Sequence, residues 1–461
     1  MELGPLRQAG GRRTRKCDTC RERKVKCVVI ISCQPRRGHS RQLADMKGSG
    51  TPQERNSCNP LVPVGPHTEF SIHRFPIDWA ANFKEHFLLR LCSNMCSSQG
   101  MIRLLSGIID KDVPDGSLQH SCINALTAGY YSTRASGYHA RDEGICSYSK
   151  ALRGVRYAVA LHPRQLETST LIMSIMCLCL YENILVTEPR SWAQHYVAIS
   201  HLIEMQGPDH YQTRRNRDIL MAFRYTIIVC AGTHRHPCFL AEERWKAVIK
   251  PLGAEQYDEF DSVLNIAVDI PGLLCDLDAL KVGVLSDEVE RHTLALRTEE
   301  MLRTLQGWRE ASIPFVSAND NPQTYSLQTA AAITFHHMLL LLVEELCYLL
   351  GIPWLPPASL SSRATPGLIS ASATSGRKER RHVLGSEILR LAKLSIRSDT
   401  AIYGVLTFIM SLHVAHDNLI QASPEMAAIE HLMNTVIAEQ HGFYMAQQHS
   451  GMYKAFEDVS L

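Results

Sequence analysis

Apolar residues in this chain recur every three to four positions over most of its length, and strand-like alternation is scarce. Between residues 148 and 159, Tyr148, Ala151, Leu152, Val155 and Val159 fall on one stripe, with Lys150, Arg153 and Arg156 elsewhere. That i, i+3, i+4, i+7 spacing predicts an amphipathic helix. Residues 166–182 are apolar nearly all round, as expected of a central buried helix. Trp192, Tyr196, Ile199 and Ile203 make the next stripe, which Gly207-Pro208 closes with a helix-stop pair. Further helical patterns run over 212–232, 239–250, 286–309, 324–350, 383–397, 400–420 and 424–446. The expected fold class is all-α, a large multi-helix domain at 77–446 followed by a tail at 447–461.

Two stretches interrupt the pattern. Residues 42–76 hold Pro52, Pro60, Pro63 and Pro66 together with Gly48, Gly50 and Gly65. Proline at that density prevents a continuous helix, so this segment is a linker, and no heptad coil follows directly on residues 1–41. Residues 352–381 are rich in Ser, Pro and Ala, and predict an exposed, disordered loop inside the helical domain. The loop ends in Arg377, Lys378, Arg380 and Arg381, a second basic cluster read as a solvated loop end.

The longest apolar runs, 171–181 and 338–350, fall short of the roughly 20 residues that span a bilayer, and the second carries Glu344 and Glu345. They predict buried helices and no membrane partner. The first 27 residues are basic and polar, unlike a signal peptide. Fifteen cysteines without such a signal point to a reducing compartment, where thiols stay free or bind metal. Cys177, Cys179, Cys230 and Cys347 sit singly in apolar surroundings and read as core residues.

Charge is divided unevenly. Residues 1–41 contain twelve Lys/Arg against Glu2, Asp18 and Glu22, a net +9, and the remaining chain carries −7. A short basic head on an acidic body suggests a nucleic-acid-binding arm. Its cysteines sharpen that reading. Cys17 and Cys20 are close enough for one turn to aim both sulfurs at one ion, and Cys27 follows after one short helix's length. Zinc suits such a thiolate set, being tetrahedral, redox-inert and borderline-soft. Arg21, Arg23, Lys24 and Lys26 favour the thiolate form and are also the residues that would reach phosphates and base edges. Metal would supply the folding energy that so short a segment cannot obtain from a core.

The run Cys17-Asp-Thr-Cys20-Arg-Glu-Arg-Lys-Val-Lys-Cys27 resembles the first half of the fungal zinc binuclear cluster transcription factors. In that family the half-motif is repeated, and six thiolates share two zinc ions. The resemblance implies a nuclear, zinc-dependent regulator of RNA polymerase II transcription bound to double-stranded DNA. Arg23 and Lys24 would lie nearest the bases of CGG-type sites, and Arg21 and Lys26 would serve phosphates. The second half departs from the family. Cys33 stands where a fourth ligand is acceptable, but Val28–Ile31 is aliphatic and no second Cys-x2-Cys follows. Cys17, Cys20, Cys27 and Cys33 could ligate one zinc and not two. Three readings stay open: a single-zinc remnant, a head that has lost DNA binding, and a wrong exon boundary or retained intron after Cys27.

The helical body resembles the fungal-specific transcription factor domain that follows such clusters. The matching features are Tyr148-x2-Ala-Leu, the apolar helix ending in Tyr181-Glu182, Trp192-x2-His195, Gly207-Pro208, and the segment Cys238 to Trp245. The resemblance implies a regulatory domain working with transcription machinery or co-regulators, with a small-molecule effector and a homodimer among the family's options. Enzyme signals are weak. HExxH, GxSxG, phosphate-loop and dinucleotide patterns do not occur. His234, His236 and Cys238 read as a solvated interhelical loop and His336-His337 as a helix-face pair, while Glu182, Trp192 and His195, which could form a buried polar cluster, read as packing residues.

Overall fold

The computed structural model describes residues 113–114, 116–134, 138–160, 168–188, 191–250, 258–283, 288–312, 326–354, 373–396 and 405–447. All lie within the second of two units, Asp78–Leu461. Of these residues 87% are helical and none is in a strand, so the fold is all-α.

The helices in chain order are α1 (Leu118–Arg134), α2 (Tyr138–Ala160), α3 (Thr168–Leu185), α4 (Ser191–Gln206), α5 (Arg214–Thr233), α6 (Glu243–Ile249), α7 (Glu259–Ala267) and α8 (Ile270–Lys281). They continue as α9 (Glu288–Ser312), α10 (Leu327–Leu350), α11 (Ala373–Ser395), α12 (Val405–Asn418) and α13 (Pro424–His431). The chain then passes through a π-helix, Leu432–Gln440, and a 3-10 turn, Tyr444–Gln447.

Two helices organise the core. α3 buries 15 of its 18 residues and packs against α1, α2, α4 and the terminal 3-10 turn. α10 buries 16 of 24 and is clothed by α7, α8, α9, α11 and α12. Its ends are sealed locally. Ser326 Oγ accepts the Thr329 amide at 3.1 Å, and Gly351, at φ +71°, closes the C-terminus with Ile352 N–H on the Cys347 carbonyl at 2.8 Å. Burying each large apolar side chain contributes about 1.5–3 kcal/mol, which is why these all-apolar segments become the centre. α5 joins the two groups. The Tyr225 ring lies 5.8 Å from that of Phe260 in α7 and 5.5 Å from that of Phe335 in α10, and its hydroxyl donates to the Thr407 carbonyl of α12 at 3.2 Å.

Taken as whole helices, α3 and α10 are long and apolar enough to cross a membrane, longer than the apolar runs alone indicate. Protein covers 83% and 72% of their most apolar windows, so both are core helices. The expectation of buried helices holds, although not for the reason of length.

The helical patterns at 148–159, 166–182 and 192–203 correspond to α2, α3 and α4, and Gly207 ends α4 at φ +76°. Other boundaries need correction. The loop expected at 352–381 gives way to helix at Ala373. The helix expected at 424–446 is instead α13, the π-helix and a 3-10 turn. The helix expected at 239–250 is a 3-10 turn, Phe239–Ala241, followed by the short α6. α1, α7 and α8 are helices beyond those that the apolar periodicity predicts above. The linker, residues 355–372 and the tail lie outside the described residues.

Candidate functional site

The predicted metal and DNA ligands, Cys17, Cys20, Cys27, Cys33, Arg21, Arg23, Lys24 and Lys26, all lie outside the described residues. Among the described residues no group of three or more His, Cys, Asp or Glu side chains is arranged to hold a metal ion.

The most developed polar arrangement joins α2, α3 and α4. Three consecutive helices with short connections bring Tyr148, Glu182 and His195 together. The Tyr148 ring stacks on Tyr181 at 4.3 Å with an interplanar angle of 9°, and its hydroxyl hydrogen-bonds His195 Nε2 at 3.0 Å. Burial, followed by the charge of Glu182, holds the Tyr148 phenol protonated far above its ordinary range. Burial also lowers the His195 pKa, with Arg156 adding to the effect and Glu182 opposing it.

Glu182 is fully buried, yet its carboxyl group is used completely. One oxygen accepts the Thr187 amide at 2.9 Å and the Ser191 hydroxyl, and the other accepts the Thr187 hydroxyl at 2.6 Å. These bonds fold the α3–α4 connection back over the end of α3. They also hold Val186 at φ +48°, a left-handed conformation that β-branched residues avoid. Trp192 takes no part in this network; its ring packs edge-on against Tyr196 at 6.0 Å. Packing, the role expected of Glu182, Trp192 and His195, holds for Trp192 alone; Glu182 and His195 enter polar contacts, and Tyr148 joins them. The arrangement braces a turn and offers no open nucleophile.

The remaining candidates are also structural. His336 donates from Nε2 to the Leu305 carbonyl at 2.9 Å and stacks on Trp308 at 4.9 Å. It and His337 are both buried, so the histidine pair expected on a helix face lies in the core. Burial depresses both, His337 to about 3. His234 hydrogen-bonds the Cys230 carbonyl through Nδ1 at 2.9 Å, His236 is exposed and Cys238 is buried, so these three do not converge. Cys177, Cys179, Cys230 and Cys347 are buried and free, and burial pushes the Cys177 and Cys230 thiols up to about 12. Such thiols are inert.

Arg377 and Arg381 are not a solvated loop end. Arg377 Nε donates to both Glu344 oxygens at 2.9 and 3.1 Å, Arg381 donates to Glu344 at 2.5 Å, and the Arg377 guanidinium lies 3.9 Å from the Tyr348 ring centre. They fasten α11 to α10. Arg224, fully buried, similarly joins α5 to α7 through the Asp261 carbonyl at 3.3 Å and Asn265 Oδ1 at 2.5 Å. Sequence reasoning missed both, because each pairs residues more than thirty positions apart.

No curated protein and no solved structure matches the chain. Residues 82–368 match the fungal specific transcription factor domain, which covers more than half of the chain. That span takes in the Tyr148–Glu182–His195 brace and both central helices, and the chain belongs to the fungal-specific transcription factor domain family.

Proposed function

We propose that the chain is a nuclear regulator of RNA polymerase II transcription. Its basic head would bind double-stranded DNA, and its helical body would communicate with transcription machinery or co-regulators. The observation that carries this reading is the order of features: a Cys17-x2-Cys20-x6-Cys27 run in a +9 segment, placed ahead of a transcription factor family domain. The family is one of transcription factors, and Tyr148, Glu182, His195 and His336 are engaged in contacts between helices, which favours regulation over catalysis. Arg23 and Lys24 are the residues proposed to read CGG-type sites, and Arg21 and Lys26 to neutralise phosphates. A small-molecule effector and homodimerisation belong to the same proposal.

The donor chemistry fits one zinc ion. Four thiolates, from Cys17, Cys20, Cys27 and Cys33, would match the ligand number of one tetrahedral ion, whereas two ions would need the six thiolates of a full cluster. Bound there, zinc would supply folding energy to the head, and the cations around it would do the recognition.

A second reading has its own support. The aliphatic run Val28–Ile31 and the missing second half-motif favour a helical regulatory protein that no longer contacts DNA. Zinc analysis of the full chain, with binding to CGG-containing and scrambled duplexes across a salt series, separates the two. One zinc per chain and a preference for CGG support the first. No zinc and equal binding to both duplexes support the second. Sequencing the transcript across codons 27–60 decides whether the run after Cys27 is genuine.

A further inference from the structure

The outer face of α2 carries charge and apolar surface that no other described element covers. The inner face, with Tyr148, Ala151 and Val155, is committed to the core. The opposite arc of the helix presents Ile145, Cys146, Lys150, Arg153, Arg156 and Tyr157, all exposed. Ile145 is 46% exposed and Tyr157 67%. At 100° per residue these six span about 140° of the helix surface, with Arg153 near the middle. Among the described residues, Lys150, Arg153 and Arg156 have no ion-pair partner. The nearest carboxylate on α2, Glu143, lies two turns before Lys150. The helix dipole does not account for the cations, because it acts within the last turn and that turn carries no basic residue.

Three uncompensated cations stand here on a body of net −7. An aliphatic side chain, Ile145, and an aromatic one, Tyr157, stand exposed at the two ends of this row. Arg and Tyr anchor protein interfaces more than other residues do. A duplex would satisfy the cations but would leave Ile145 and Tyr157 against sugar-phosphate, so the mixture favours a protein partner. From Ile145 to Tyr157 the face is about 18 Å long, three turns of a partner helix. We propose that this face docks an acidic amphipathic helix of a partner protein, its carboxylates on Lys150, Arg153 and Arg156 and its apolar side chains on Tyr157 and Ile145. This inference is independent of whether the head binds zinc or DNA.

Cys146 provides a reporter on the face itself, being exposed and free. The experiment uses the full chain and a fluorescein-labelled 16-residue helical peptide with Glu and Leu on adjoining stripes. Comparison probes are a peptide with Ser in place of each Leu, and a random duplex. Anisotropy is expected to show binding of the Glu/Leu peptide that K150Q/R153Q weakens about tenfold and Y157A several-fold. Alkylation of Cys146, followed by mass spectrometry of the 142–150 fragment, is expected to slow on binding. These variants lie at exposed positions, and retained circular dichroism shows that loss of binding is not unfolding. Four outcomes each overturn the proposal: no peptide binding; unchanged alkylation of Cys146; stronger protection by the duplex than by the peptide; and protection that rises with protein concentration alone, which would assign the face to a second copy of the chain.

Discussion

Gly144 of α2 lies against the backbone of Gly129 in α1. A methyl group at Gly144 would meet the Gly129 amide nitrogen at 3.2 Å, and one at Gly129 would sit 2.7 Å from the Tyr181 ring of α3. Three helices therefore meet where two of them have no side chain. Tyr181 cannot swing away, since it is fully buried and stacked on Tyr148. Alanine favours helix by about 1 kcal/mol over glycine, but overpacking a full core costs about 1–3 kcal/mol. Gly129→Ala is expected to destabilise the domain. Gly307→Ala, in α9 with nothing within 4 Å of the new methyl, is expected to stabilise it by about 0.5–1 kcal/mol. Urea unfolding of the two variants should shift in opposite directions; a shared direction would refute the packing argument.

Glu344 is 2% exposed and serves two arginines that are each about one-fifth exposed. Removing the carboxylate strands charge at a helix interface. Glu344→Ala should cost about 3 kcal/mol, the lower end for a broken buried pair, because the arginines can turn partly to water. Arg377→Met leaves Arg381 in place and keeps the aliphatic stem, so about 1.5 kcal/mol is expected. A double-mutant cycle by chemical denaturation should give a coupling of at least 0.5 kcal/mol between the two sites. Simple additivity would mean that the pair does not hold α11 to α10.

What could be read from sequence follows from how each feature is encoded. α2 and α4 announce themselves because one stripe is apolar and the other polar, and α3 because it is apolar on all sides. α1 carries a stripe of the same kind, with Ile123, Leu126 and Tyr130 buried at i, i+3 and i+7, but its other buried positions, Cys122, Ala125 and Ala128, are small and dilute the signal. α7 does carry a helical signal: Phe260, Val263, Leu264 and Ala267 sit at helical spacing behind Asp258, whose side chain accepts the Asp261 amide at 2.7 Å. The candidate site divides in the same way. A metal motif is legible because its ligands are close in sequence. The Tyr148–His195 bond spans 47 positions and the Arg377–Glu344 pair 33, and no periodicity records either. That is why the basic run at 377–381 looked solvated.

Acid should destabilise the domain through its buried histidines. His336 and His337 are held neutral when folded, His337 down to about 3, chiefly by burial. The unfolded chain takes up protons near pH 6.5, so below that pH the unfolded state binds more protons and stability falls. Each histidine contributes up to about 1.4 kcal/mol per pH unit. Two groups act in the opposite direction. His416 is raised by its bonds to Asp417 and Glu430, and its contribution is present below about 6.5 and lost as pH rises through its folded pKa. Asp258 is raised to about 6, mainly by burial, so its contribution is present below about 4 and lost as pH climbs to 6. The prediction is a lower denaturation midpoint at pH 5 than at pH 7.5, with a smaller difference in His337→Leu. An equal difference in the variant would remove His337 from the account.

The Glu182 brace makes the sharpest local prediction. Glutamine at 182 keeps the shape but replaces one acceptor oxygen by an NH2 group facing donors. With the oxygen kept on the Thr187 amide and the Ser191 hydroxyl, the Thr187 hydroxyl must turn from donating to accepting; with the group reversed, the amide and the Ser191 hydroxyl lose their acceptor. Thr187 is exposed and Ser191 half-buried, so displaced groups can turn to water, and Glu182→Gln should lower stability by about 1 kcal/mol. The loss should be concentrated at the α3–α4 connection, because Val186 holds its left-handed conformation only while the turn is tied down. Hydrogen exchange is expected to speed up at Thr187 and Ser191 while the amides of α10 remain protected. Val186→Gly in the Glu182→Gln background should recover part of the loss, by relieving the strain that the carboxyl group opposes. If that second substitution destabilises the chain further, the turn is held by packing and not by Glu182.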